Sequence, residues 1–431
     1  MTAPPARPRP GGPPAGSRRE PASGGGQGGP SDEPAKGGED GALPLPVDLV
    51  RPDYGRSTLA DVLPGVATAL GVPVERGDLP ADPLGLAAAL AGARRVAVLL
   101  VDGLGADLVR AHRDVAPTLA ALATPAGDLA APCPSTTPVS LTTLGTGLPP
   151  GSHGVLGFVT AVPGEERTLN HVQWTDDPDP AVWMSRRSVF EQAADAGVEV
   201  AAVAPYAFRG SGLSDVAYRG ARYTGTVGPG DLAAVLLESL AAAPRTLVYG
   251  YTAELDLTGH VRGVDSASWR AQLALVDRLV EQVVDGLPDD AALLVTADHG
   301  MLDVPPDTRL DLDAAPELAE GVRLLAGEPR ARYLHAVRGA EADLLARWRE
   351  VLGDRAWVAG RDEAVASGVF GPVDDHLAAR IGDVVALARG TWALTATERE
   401  PGPSRLVGYH GSLTATELAI PLLAARGRAL V

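Results

Sequence analysis

Acids and histidines in this chain gather where apolar runs stop. The run LLVTADHG, residues 293–300, is apolar and β-prone until it meets Asp298 and His299. VAVLLVDG ends in the same way on Asp102, and TLVYGYTAELDLTGH carries Asp256 and, four residues on, His260. A lone aspartate at a strand end is ordinarily a cap or turn former. Three converging at one sheet edge would repel and raise each other's pKa unless something cationic sat among them. The chain has one lysine, Lys36, and it lies in the N-terminal tail. Metal ions are then the economical counter-charge, and oxygen and imidazole donors without thiolate suit zinc, or manganese. Asp256 and His260 are spaced i, i+4, so one helical turn lets both reach a single ion. GYHGSL places His410 in a similar strand-then-glycine setting. His112, His153, His171, His335 and His376 lack a paired acid in comparable context and are read as non-ligands.

A second cluster is PCPSTTPVSLTTLGTGLPPGSHG, residues 132–154. Ser135, Thr136 and Thr137 precede Pro138, which a helix tolerates in its first turn. A helix through this stretch holds a hydroxyl at its positive end, where unpaired N–H groups favour phosphate oxygens. Taken alone, the hydroxyls read as N-caps. Beside a metal-binding edge they become candidates for a nucleophile, because metal coordination activates a hydroxyl.

The chain as a whole narrows the chemistry. Its 431 residues allow a large core. A net charge of -17 argues against nucleic-acid binding, since nothing would neutralise a run of phosphates. A P-loop or a Schiff-base mechanism needs a lysine that the folded part lacks. The single cysteine, Cys133, cannot form an intramolecular disulfide and reads as a packing residue. No run approaches a membrane span, and the N-terminus lacks the apolar core of a signal peptide, so a cytoplasmic protein with no membrane partner is expected.

Residues 1–45, rich in Pro, Gly and Ser, read as a disordered tail, and 46–431 as one catalytic body. Its apolar runs RRVAVLLVDG, VEVAAVAP, RTLVYGYT and AALLVTADHG alternate with helical segments such as SWRAQLALVDRLVEQVVDGL. Continuous apolar strands are buried on both faces, which predicts an α/β fold with a mostly parallel central sheet flanked by helices. Ligands of such sheets bind beyond the carboxyl ends of the strands. Residues 305–404 break the rhythm, and ARYLHAVRG, AEADLLARWREVLG and AWVAG suggest a small inserted α/β cap.

These motifs, in this order, resemble the alkaline phosphatase superfamily and, within it, the nucleotide pyrophosphatase/phosphodiesterase family, from about Arg95 to the C-terminus. LLVDGLG resembles its first metal motif, PSTTPVSLTTLGTGLPPGSHG its nucleophile motif, YTAELDLTGH its D-x-x-x-H motif, TADHGM its D-H-G motif, and YHG supplies the last ligand. The resemblance implies an alkaline-phosphatase-like fold and two divalent metal ions, zinc by preference. Asp256, His260 and His410 would hold one, and Asp102, Asp298 and His299 the other, together with the hydroxyl of Thr137 as nucleophile. It further implies cleavage of a small-molecule phosphodiester or nucleotide-type substrate through a phosphothreonine intermediate, with retention at phosphorus.

The departures concern the substrate. An asparagine that binds a phosphate oxygen in family members is replaced by Phe158, with Asn170 the candidate substitute. Another, three residues past the nucleophile, is replaced by Ser140. Tyr251 matches a tyrosine that stacks on a base in nucleotide-cleaving relatives. Phosphomonoesterase and phosphonate hydrolase activities use the same ligands, and a non-catalytic phosphate-ligand-binding protein is the alternative of another class. A sulfatase would need an arginine that CPSTT lacks.

Overall fold

The computed structural model describes residues 44–430, so the tail expected over 1–45 lies outside the described residues except for Pro44 and Leu45. A six-stranded sheet forms the centre. In chain order its strands are β1 (Arg95–Val101), β2 (Glu199–Pro205), β3 (Arg222–Thr226), β4 (Thr246–Thr252) and β5 (Ala291–Thr296), followed by the last strand, Leu422–Arg426. The spatial order is Leu422–Arg426, β5, β1, β4, β2, β3. All neighbours pair parallel except the last strand, which runs antiparallel along β5. The sheet is therefore the mostly parallel one expected, with one antiparallel edge. β4 and β5 are buried along their whole length and β1 along all but its first residue, as strands covered by helices on both faces must be.

Register sets the position of the chemistry. Val101 pairs with Thr252, and Leu100 with both Tyr251 and Thr296. The three strands therefore stop at one level, and Asp102, Asp256 and Asp298 leave the sheet together. Helix α1 (Thr137–Thr146) lies at the same edge, opened by Thr136 in an extended conformation and closed by Gly147 at φ 66°. Helix α2 (Glu254–Arg262) follows β4 directly. Helix α3 (Ala267–Asp285) then returns the chain, with the Ser266 side chain accepting a bond from the Trp269 N–H at its start.

Within residues 305–404 a separate four-stranded antiparallel sheet forms from β6 (Val322–Glu328), β7 (Ala331–Ala336), β8 (Ala356–Gly360) and β9 (Val384–Ala388), in the order β6, β7, β9, β8. Helix α4 (Glu341–Leu352) contributes Leu344, Trp348 and Leu352 to a small core shared with Leu334, Val358 and Val384. The β6–β7 hairpin carries two buried arginines, one on a fully buried acid and one on a partly exposed acid. Arg330 grips Glu417 at both oxygens, Nε–Oε1 2.9 Å and Nη2–Oε2 2.6 Å, with both side chains inaccessible to solvent. Arg332 grips Glu400 in the same two-pronged way, at 2.9 and 2.7 Å. Glu417 also accepts from the Ser412 N–H and the Thr414 hydroxyl, so one carboxylate ties the hairpin tip to the segment just after His410. Removing one member of a buried pair leaves the other charge uncompensated. Arg330→Ala should therefore cost about 3–5 kcal/mol of stability, read as a lowered midpoint in urea unfolding. An unchanged midpoint would show that the pair does not anchor the hairpin.

Candidate metal and phosphate site

The backbone beyond the strand ends brings three acids into one place. Gly103, at φ 72°, turns the chain after Asp102, and a Cβ there would lie 3.1 Å from the Asp256 Cα. The turn therefore passes directly over α2, and only glycine fits it. The Gly103 N–H donates to Asp298 Oδ1 at 3.0 Å, as does the His299 N–H. Asp256 and His260 sit one turn apart on α2, and His410 follows the short strand Gly408–Tyr409.

Two sets of side chains result. In the first, His260 Nε2 lies 3.3 Å from Asp256 Oδ2 and 3.1 Å from His410 Nε2, which is 3.8 Å from Asp256 Oδ1. In the second, His299 Nε2 lies 3.2 Å from Asp298 Oδ2 and 3.5 Å from Asp102 Oδ1. The His299 and His410 rings stack at 3.5 Å between centroids, so the sets adjoin. Four donors around an ion with bonds of ~2.0–2.2 Å stand roughly 3.3–3.6 Å apart at a tetrahedral corner. The separations here straddle that value.

Hydrogen bonding fixes what these groups present. The Nδ1 of His260 faces the Gly408 carbonyl at 2.8 Å, that of His410 the Ser135 carbonyl at 2.8 Å, and that of His299 the Gly300 carbonyl at 3.0 Å. A carbonyl can only accept, so each Nδ1 carries a proton and Nε2 is the ring nitrogen left to face inward as a metal ligand. Asp102 Oδ1, Asp256 Oδ1 and Asp298 Oδ2 are buried without a hydrogen-bond donor. Burial, with the charges of Asp298 and Asp256, pushes the Asp102 carboxyl well above its usual range. Burial raises Asp256 as well, and it pushes His410 well below the usual histidine range. Orphaned oxygens facing bare ring nitrogens are what a divalent cation satisfies, and the residues present fit one in each set.

Around the sets lie the remaining sequence candidates. Thr137 is the first residue of α1, and its Oγ1 is 3.4 Å from His299 Nε2. Ser140, one turn on, donates to the Asp298 carbonyl at 2.8 Å and so holds the end of β5 in place. The Tyr251 ring is buried and its hydroxyl donates to Asp102 Oδ2, which supports the acid and leaves little of the ring free to stack. Asn170 ends a short hairpin strand, and its Oδ1 accepts from the Val172 and Gln173 N–H groups at 3.0 and 3.2 Å. With Phe158, Glu328 and Tyr409 it lines a cleft of about 480 Å³ that reaches His260 and His410.

The other histidines stand apart from both sets. His153 receives the Val155 N–H on Nδ1 and hence donates from Nε2 to Thr143 at 2.9 Å, bracing α1; burial holds it at about 3. His171 is buried against Trp174 and Trp183, and His335 is buried within β7. His112 does meet an acid, Asp265 at 2.9 Å, but that carboxylate is exposed. His376 is exposed. Sequence reasoning missed Glu328, whose setting in LLAGEPR shows only the signature of a turn. It also missed that the Tyr251 hydroxyl meets Asp102, which only the register of β1 against β4 reveals.

The fold and motifs have counterparts. Murine ectonucleotide pyrophosphatase / phosphodiesterase 5 superposes with a TM-score of 0.62 at 19% identity, over 78% of this chain and 90% of that one. An inactive variant of the same murine protein, in complex with AMP, gives 0.61 at 18%, over 78% and 90%. Phosphonoacetate hydrolase from Sinorhizobium meliloti 1021, in complex with phosphonoformate, gives 0.61 at 20%, over 78% and 91%. No curated protein matches the chain at a significant level. The family model of type I phosphodiesterase / nucleotide pyrophosphatase matches residues 96–413, which take in both sets of acids and histidines. This chain belongs to the type I phosphodiesterase / nucleotide pyrophosphatase family, a family of hydrolases acting on phosphoester bonds.

Proposed function

We propose that this protein is a metal-dependent hydrolase of phosphodiester or pyrophosphate bonds, with Thr137 as its nucleophile. The observation that carries the reading is the Thr137 hydroxyl at the N-terminus of α1, 3.4 Å from the bare Nε2 of His299. Asp256, His260 and His410 would hold one divalent ion, and Asp102, Asp298 and His299 the other with Thr137. Two such ions, zinc by their donor set, supply positive charge for the attacking, leaving and non-bridging oxygens.

The chain's own groups do the rest. Thr137 Oγ attacks phosphorus in line, so the Oγ–P bond forms as the bond to the leaving oxygen breaks. Water then opens the phosphothreonine by a second in-line displacement, and the two inversions give net retention. The start of α1 would favour the phosphoryl oxygens through its helix dipole and unpaired N–H groups, Pro138 having none to offer. Ser140 holds the Asp298 backbone and Tyr251 holds the Asp102 carboxylate, so the ligands are fixed before substrate arrives. The Asn170 amide nitrogen, its oxygen already engaged by the turn, is the donor left to meet a phosphate oxygen where Phe158 cannot.

Nucleotide-type substrates have support from the AMP complex of the murine neighbour. Phosphonate hydrolysis, supported by the phosphonoacetate hydrolase neighbour, is the second reading. A carboxylate-bearing phosphonate would call for a free cation in the cleft. The arginine lining it, Arg399, is already paired with Asp313, which favours the phosphoester. The four-stranded sheet of residues 322–388 would act as a cap that selects the leaving group.

Chelator-stripped protein reloaded with zinc should hydrolyse bis-p-nitrophenyl phosphate faster than p-nitrophenyl phosphate. A preference for the monoester would replace the reading with a phosphatase, and no turnover of either would point to the phosphonate or to a binding role. Thr137→Ala should abolish turnover while metal content stays near wild type; full residual activity would remove Thr137 as nucleophile. Asn170→Asp keeps the oxygen that holds the turn but loses the amide donor. It should lower kcat by ~10²–10³, as lost oxyanion donors do, and an unchanged kcat would take Asn170 out of the site.

A further inference from the structure

The cleft beside His260 and His410 holds one acid that has no salt-bridge partner among the described residues. Its lining carries three charged side chains besides the histidines: Glu328, Arg399 and Glu400. Arg399 is paired with Asp313, and Glu400 with Arg332. The nearest cations to Glu328 along its own hairpin are Arg330 and Arg332, and both are committed in two-pronged pairs to Glu417 and Glu400. Glu328 is thus left without a cation, and its Oε1 is enclosed with only the Thr136 hydroxyl beside it.

Its place is well defined. It ends β6 at the tip of the hairpin, which the buried Arg330–Glu417 pair fastens to the segment after His410. A Cβ on Gly411 would lie 2.9 Å from the Glu328 carboxyl carbon and 3.0 Å from Oε1. The carboxyl therefore stands one residue from His410. Burial pushes it well above the usual carboxylate range, against the pull of the Thr136 hydroxyl and of Arg332, so Thr136, the neighbour of Thr137, is close as well. The partly exposed Phe158 lines the same cleft.

A carboxylate in such a place is costly unless something brings it positive charge and an N–H donor. An aromatic face in the same cleft favours a cation again. The geometry points to Glu328 as a specificity-determining residue that binds a protonated amine on the substrate, making aminoalkyl phosphoesters the preferred class. This rests on the hydrolase reading above and adds what that reading leaves open, the chemistry of the arm beyond the phosphate. It also gives Phe158 a purpose: the residue that cannot donate to phosphate supplies a wall for the cation.

The test separates the two readings. Calorimetric titration of zinc-loaded protein with 2-aminoethyl phosphate and with ethyl phosphate measures the amine preference without turnover. Wild type should prefer the amine by ~10-fold or more, the worth of one charge-assisted hydrogen bond. Glu328→Gln should bring the ratio close to one, and Glu328→Asp should restore part of it. The ratio of kcat/KM for p-nitrophenyl 2-aminoethyl phosphate against p-nitrophenyl ethyl phosphate should follow the same order. Equal binding of the two phosphates by wild type, or a ratio that survives in Glu328→Gln, overturns the assignment whether or not the esters turn over. Amine-selective binding without hydrolysis of either ester would keep the assignment and sink the hydrolase.

Discussion

Three carboxylates and three imidazole rings share one edge of the sheet, and no lysine or arginine among the described residues is paired with them. Asp102, Asp256 and Asp298 each keep an oxygen without a donor, while His260, His299 and His410, each with Nδ1 on a carbonyl, turn Nε2 toward those oxygens or toward one another. Left alone, such an arrangement would relieve itself by protonation or by moving apart. It is held by groups that face away from it: the carbonyls of Gly300, Ser135 and Gly408, the N–H groups of Gly103 and His299, and the hydroxyl of Tyr251. These bonds fix the ring tautomers and the carboxylate orientations in advance, so the energy of binding a divalent ion is not consumed in rearranging its ligands.

The same logic of paired and unpaired charge extends outward. Glu417 joins the segment after His410 to the β6–β7 hairpin through Arg330, and Arg332 and Glu400 lock the next turn of the cleft. One buried ion pair therefore positions both a ligand-bearing loop and the acid that faces substrate. Rigidity in the hairpin matters here, because a carboxylate that could swing into solvent would lose its selectivity for a cation. Pre-organisation of this kind lowers the cost of binding rather than adding contacts.

Much of the centre was legible because it depends on short-range rules. Apolar runs ending on acids announced the parallel strands, an i, i+4 pair announced one turn of helix, and Pro138 announced the start of α1. The antiparallel edge strand Leu422–Arg426 escaped, since LLAAR is short and alanine-rich and has no alternation to separate it from a helix. RYTGT, which forms β3, carries hydroxyls and a glycine where a buried strand would show branched apolar residues. In the antiparallel sheet two strands went unseen, β6 because VRLLAGE mixes charge with apolar residues, and β9 because a short apolar run is ambiguous by period alone. Long-range pairing was beyond reach in principle: which acid meets Arg330, and hence which acid is left over, depends on residues 87 positions apart.

The departures from the family pattern show why metal chemistry and substrate choice are separable on this scaffold. Ser140 spends its hydroxyl on the Asp298 carbonyl and so supports the end of β5 rather than facing the cleft. Phe158 has lost the capacity to donate but lines a cleft whose opposite resource is a carboxylate. The edge that carries the two acid–histidine sets is built by strand register, which cannot shift by one residue without turning every side chain of a strand to the other face. The cleft is built by loops and a hairpin tip, where a side chain can change without disturbing the sheet. Conserving the first while varying the second requires only that no charge in the cleft be left permanently unpaired, and Glu328, which burial pushes toward the neutral form, meets that condition as a carboxylate when the substrate brings its partner.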